Sequence, residues 1–212
     1  YIAPIGVVDD GLAHAARLVV EPGGTLLIAD LGRPARLVRY DRDGYPLGVI
    51  APAPTESGYN VTVLARAADG RFWTTDEARQ RLVRFEADGS GPMAFDIPPD
   101  SAFYRSVVDV AVGPDGNVYA LDGYDPRVTV FSPEGRALRH WSGGCPEGCG
   151  FDQPVSLVVD AEGAVYVADY GLRSVFKFDA AGRPLDRWRG AELSESPYDF
   201  YPARLALDAA GA

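Results

Sequence analysis

A seven-residue phrase is written four times along this chain, and its spacing constrains the fold more than any other feature. It reads Gly24-Thr-Leu-Leu-Ile-Ala-Asp30, Gly70-Arg-Phe-Trp-Thr-Thr-Asp76, Gly116-Asn-Val-Tyr-Ala-Leu-Asp122 and Gly163-Ala-Val-Tyr-Val-Ala-Asp169, with the aspartates 46, 46 and 47 residues apart. A fifth copy opens at Leu205-Ala-Leu-Asp208-Ala-Ala-Gly211. A fixed period of this size belongs to arrays and propellers, in which each unit buries its apolar face against the next.

Every unit contains four short β-runs. The first is Val61–Ala65, Val107–Val112 or Val155–Val159, and a Gly turn at Pro22–Gly24, Asp69-Gly70, Asp115-Gly116 or Glu162-Gly163 leads into the second, the repeated phrase itself. A loop follows the aspartate. The third run is Arg36–Tyr40, Arg81–Phe85, Arg127–Phe131 or Ser174–Phe178. Another Gly turn, at Gly44, Gly89, Gly135 or Gly182, leads to the fourth: Leu47–Ile50, Met93–Ile97, Ala137–Trp141 or Leu185–Arg189. Such Gly turns supply the positive φ of tight hairpins. Tyr40, Phe85, Phe131 and Phe178 close strand three, with Val38, Val83, Thr129 and Phe176 two residues earlier, an arrangement that packs sheet on sheet. Four hairpin-linked strands per unit predict an all-β propeller of four-stranded antiparallel blades.

Pro154-Val-Ser-Leu-Val-Val-Asp-Ala-Glu-Gly-Ala-Val-Tyr-Val-Ala-Asp169, followed by Arg173-Ser-Val-Phe-Lys-Phe-Asp-Ala-Ala-Gly182, resembles the NHL repeat. The resemblance runs from Leu12 to Gly190; the second copy departs from it at Thr74-Thr75, and Ser156 stands where the family often has Gly. It implies a single NHL-type β-propeller domain over 1–212, with repeats at about 12–50, 58–97, 105–141 and 153–189 and partial blades at 1–5 and 200–212. Six blades are common in that family and five is the smaller alternative, so the domain is expected to be incomplete at both ends. The start at Tyr1 rather than Met agrees with a removed leader or an internal fragment.

Charge is distributed unequally over the expected faces. Loops two-three and four-one carry 15 acidic residues against five arginines, a net of -10, which equals the net charge of the whole chain. Long irregular loops on a rigid scaffold are where binding residues concentrate. An acidic face disfavours nucleic acid and steers basic partners or cations. The repeat aspartates Asp30, Asp76, Asp122 and Asp169 read as turn residues that accept backbone N–H groups. Tyr59, Phe103, Tyr104, Tyr124, Phe151, Tyr170, Tyr198, Phe200 and Tyr201 share the face. From it we select Tyr59, Asp100, Tyr104, Tyr124, Asp125, Tyr170, Arg173 and Tyr198 as partner-binding candidates.

Cys145-Pro-Glu-Gly-Cys149 is the only cysteine pair. A small disulfide is the first reading, which places the chain in an extracellular or periplasmic compartment; two free thiols and a metal site are the alternatives. The two histidines, His14 and His140, are too few for the multi-histidine zinc site of the NHL-like peptide-amidating lyases. No catalytic residue is assigned. The function expected is a non-catalytic scaffold that presents an acidic loop face to a protein or peptide, without nucleic acid, membrane insertion or cofactor. The alternative, raised by the resemblance to calcium-dependent propeller hydrolases and lyases, is an enzyme with Ca²⁺ at a channel mouth and Asn60, Asp109 and the acidic loops as oxygen donors.

Overall fold

The computed structural model describes residues 12–32, 36–52, 63–76, 80–97, 106–143, 150–190 and 200–207. Sixteen strands among them form four antiparallel sheets, each meandering in sequence order. The first sheet holds β1 (Ala15–Val20), β2 (Leu26–Asp30), β3 (Arg36–Tyr40) and β4 (Pro46–Pro52). The second holds β5 (Leu64–Arg66), β6 (Phe72–Asp76), β7 (Arg81–Phe85) and β8 (Met93–Asp96). In the third are β9 (Val107–Val112), β10 (Val118–Asp122), β11 (Arg127–Phe131) and β12 (Ala137–Trp141). The fourth contains β13 (Pro154–Val159), β14 (Val165–Asp169), β15 (Ser174–Phe178) and β16 (Pro184–Arg189). The chain divides into two compact units, residues 1–97 with the first two sheets and residues 98–212 with the last two.

The turns that join the strands repeat one geometry. Gly24, Gly70, Gly116 and Gly163 each donate to the carbonyl three residues back, at 3.0 Å. Their φ values lie between +79° and +94°, a region in which only glycine is unstrained. The second turn of each sheet is built alike around Gly44, Gly89, Gly135 and Gly182.

Within each unit one sheet packs on the next through its apolar face. In the first unit Leu27, Ala29 and Leu37 meet Leu64, Phe72, Val83 and Phe85. The second unit places Tyr119, Leu121, Val128 and Val130 against Leu157, Val165, Val167, Phe176 and Phe178. The aromatics that end strand three, Tyr40, Phe85, Phe131 and Phe178, are all buried. Polar latches accompany this packing. Arg39 donates to Ala87 O at 2.8 Å, and Arg139 donates to Ala180 O through Nε and Nη2. Each accepting carbonyl lies two residues before a turn glycine, Gly89 or Gly182. A β-carbon on Gly89 would collide with the Ile50 carbonyl, and one on Gly182 with the Trp141 indole.

Within each unit the first strands pack on one another, β5 on β1 and β13 on β9; the fourth strands are largely exposed. The second sheet shows how its Thr pair is accommodated. Thr74 is buried where the other copies carry an apolar residue, and its hydroxyl donates to Val63 O at 2.7 Å. Its first strand is observed at Leu64–Arg66 rather than the expected Val61–Ala65; Val61 and Thr62 lie outside the described residues.

Candidate binding site at the corner after strand two

Each repeat aspartate ends strand two and is buried, at 4 % exposure or less. At Asp30, Asp122 and Asp169 the carboxylate ties together the two loops of that sheet corner. Asp30 accepts from the backbone N–H groups of Ala13, His14 and Gly32 and from Arg36 Nε at 3.1 Å. Asp169 accepts from Asp152, Gln153 and Leu172 N–H groups at 2.8–3.1 Å. At Asp122 the donors are the N–H groups of Ser106, Tyr124 and Asp125. Asp76 faces Arg81 at 3.4 Å. A buried carboxylate is held by such charge-assisted bonds, and in return it fixes the loops.

The same residue titrates in opposite directions in two sheets. Burial alone would raise Asp30, but the N–H groups of His14, Ala13 and Gly32 and the Arg36 guanidinium outweigh it and hold the carboxyl below its ordinary value. At Asp122 burial prevails over the Asp125, Tyr124 and Ser106 N–H groups, Asp125 adds like charge, and the carboxyl is pushed up. The arginine of that corner, Arg127, stands 3.6 Å from Asp125.

In the first three sheets strand three begins with an arginine: Arg36, Arg81 and Arg127. In the fourth it begins with Ser174, and the arginine comes one residue earlier, at Arg173. The slip alters the corner. Ser174 Oγ donates to Leu172 O at 2.8 Å, and Arg187 of β16 donates its Nε to Ser174 Oγ at 3.1 Å. Arg173 adopts a left-handed backbone, φ +49°, as Gln80 does at the same place before strand three of the second sheet, φ +55°, a conformation uncommon for non-glycine residues. Its N–H reaches Tyr170 O and its carbonyl accepts from Gly190 N–H. The guanidinium is directed onto Tyr201, at 4.6 Å from the ring centroid, and donates to the Tyr201 hydroxyl at 2.7 Å. The Tyr201 ring in turn lies 4.9 Å from Tyr170, tilted by 33°. Both tyrosines keep more than 40 % of their surface exposed. A β-carbon on Gly171 would collide with the Asp152 carboxylate, which places that acid beside the same loop.

A second polar cluster lies on the first strands of this unit's two sheets, β9 and β13. Asp109 accepts from Ser156 Oγ at 2.9 Å and Leu157 N–H at 3.1 Å through Oδ2, and from Val110 N–H through Oδ1. Arg204 Nη1 stands 3.5 Å from the same carboxylate. Leu205 N–H donates to Ser156 Oγ at 3.2 Å, so residues 204–205 lie along β13 much as Ser156–Leu157 lie along β9.

Of the residues singled out from sequence, Tyr170 and Arg173 are brought into one cluster. Tyr124, 61 % exposed, and Asp125 occupy the corresponding corner of the third sheet. Tyr59, Asn60, Asp100, Tyr104, Tyr198, Cys145 and Cys149 lie outside the described residues. In the sequence Tyr201 is one aromatic among many on the face. Its relation to Arg173, 28 positions away, depends on the one-residue slip before Ser174. Among the described residues, no group of three or more His, Cys, Asp or Glu is placed to hold a metal ion.

No protein-family model and no curated protein matches the chain. Solved structures do. A gluconolactonase from Xanthomonas campestris aligns with a TM-score of 0.68 at 18% identity, over 96% of this chain and 68% of that one. A streptogramin B lyase aligns with 0.64 at 15%, over 86% and 56%. A catalytically inactive virginiamycin B lyase from Staphylococcus aureus, solved with quinupristin, aligns with 0.60 at 15%, over 81% and 54%. The chain thus spans little more than half the length of the two lyases. These likenesses, together with the four antiparallel four-stranded sheets, show an all-β chain with the β-propeller fold.

Proposed function

We propose that this chain is an NHL-type propeller segment that serves as a binding platform and meets a protein or peptide partner on its loop face, outside the cytoplasm. The observation that carries this reading is the exposed Tyr170–Tyr201–Arg173 cluster. Tyrosine is among the residue types enriched where protein interfaces draw most of their binding energy. The cluster also breaks the repeat where the other three corners are built around an arginine at the start of strand three. Tyr124 and Asp125 extend the candidate surface to the third sheet. The remaining candidates, Tyr59, Asp100, Tyr104 and Tyr198, belong to loops of the same expected face, and a Cys145–Cys149 disulfide would brace one of those loops.

The test is capture of the partner from extract of the source organism by the wild-type chain and by a Tyr170→Ala/Tyr201→Ala double variant. Loss of capture with an unchanged melting temperature supports the platform. Equal capture by both proteins contradicts it.

A second reading, a calcium-dependent hydrolase or lyase, draws support from the enzyme neighbours and from Asp109 on β9. The described residues do not fit a calcium site there, because Asp109 already accepts bonds from Ser156, Leu157 and Val110 and faces Arg204. Calcium that raises the melting temperature, with EDTA reversing the effect, would favour the enzyme, since a ligand bound to the native state must stabilise it.

A further inference from the structure

We propose that Tyr170 and Tyr201 form a platform for an arginine side chain of a basic peptide, and that Arg173 is its built-in plug. This rests on the platform reading above and names the chemistry of its partner. A guanidinium is attracted to the face of a tyrosine ring, more so than an equally charged ammonium where stacking and directed N–H donation combine. The chain supplies its own demonstration: the Arg173 guanidinium rests over Tyr201 at 4.6 Å and donates to its hydroxyl.

Among the described residues, the bonds that hold this corner do not use the Arg173 side chain. The place at the head of β15 is held by Ser174, with Arg187 filling in from β16. Asp169 is served by three backbone N–H groups. Among the described contacts, the Arg173 guanidinium touches Tyr201 and no carboxylate. Its described side-chain contacts are both with Tyr201, the ring an incoming guanidinium would have to share with it. Tyr170 packs against the Tyr201 ring at 4.9 Å and holds it in place for a guanidinium arriving there. The net charge of -10 attracts a basic peptide, and Asp152 beside Gly171 adds a local carboxylate.

The test uses the 212-residue chain and two capped tetrapeptides, tetra-arginine and tetra-lysine, titrated at physiological salt by calorimetry. The wild type is expected to bind tetra-arginine more tightly than tetra-lysine. Tyr201→Leu, which keeps bulk and removes the ring, is expected to abolish that preference at an unchanged melting temperature. Arg173→Ala is expected to tighten tetra-arginine by about 2- to 5-fold, the loss of one exposed cation–π competitor. A purely structural Arg173 predicts the reverse. Weaker or equal binding by Arg173→Ala overturns the plug, and equal binding of the two peptides to the wild type overturns the arginine platform. Should either occur while the Tyr170/Tyr201 double variant still loses its natural partner, the binding platform stands and only its assigned chemistry falls.

Discussion

Asp30 and Asp169 occupy the same corner in the first and fourth sheets, are equally buried, and hold their loops with the same kind of bonds. The arginines beside them differ. Arg36 heads strand three and donates to Asp30; Arg173 precedes strand three, turns left-handed and reaches Tyr201 instead. One residue of displacement separates a structural ion pair from a surface cation. Comparison of the two corners therefore distinguishes what the repeat needs in order to fold from what this copy has available for binding.

The aspartates should be the costliest residues to change, in both sheets alike. Asp30→Asn and Asp169→Asn each leave buried N–H groups facing a weaker acceptor, and Asp30→Asn also weakens the bond from Arg36. We expect a loss of about 2–4 kcal/mol in urea unfolding for either. A small effect at Asp169 alone would break the equivalence of the corners.

The arginines should then separate the corners. Arg36→Ser should cost about 1 kcal/mol, the worth of a charge-assisted bond at a partly exposed site. Arg173→Ser should fall within about 0.5 kcal/mol of wild type, as for a surface substitution. Equal losses would mean that Arg173 is structural after all.

A smaller effect, in pH dependence, sharpens the account by contrasting Asp30 with Asp122. Asp30 titrates lower in the folded chain than its ordinary 3.8. Its stabilisation is therefore complete above that value and lost as pH falls through the folded pKa. Asp122 titrates higher than 3.8; the folded state holds its proton more tightly, so stability falls as pH rises from the ordinary value through the folded pKa. Unfolding free energies measured from pH 2 to 7 should show Asp30→Asn removing an acid loss. Asp122→Asn should remove a loss on the alkaline side of 3.8. Identical pH profiles for the two variants would contradict the assigned causes.

How much of this was legible in the sequence follows from the kind of force involved. Turn glycines such as Gly163 and Gly182 are readable because the backbone requires positive φ wherever the turn recurs. Phe178 and its counterparts are readable because sheet packing repeats with the unit. The Thr74 substitution marked a departure from the repeat, while its bond to Val63 O became visible only once β5 and β6 were paired. Tyr201 was visible as an aromatic but not as a partner of Arg173, since that contact is long-range and occurs once. Periodicity reveals what every copy shares and is blind to an interaction made by one copy alone. The acidic excess was legible as a composition of loops, much of it on residues outside those described.

The central claim, that the loop corner of the fourth sheet is a binding surface, is tested most directly by site-specific photo-crosslinking in extract of the source organism. A benzoylphenylalanine placed at Tyr170 should yield one discrete crosslinked partner, and the same probe at Leu185, exposed at the opposite end of the sheet, should not. Crosslinking from Leu185 alone, or from neither position, would contradict the account.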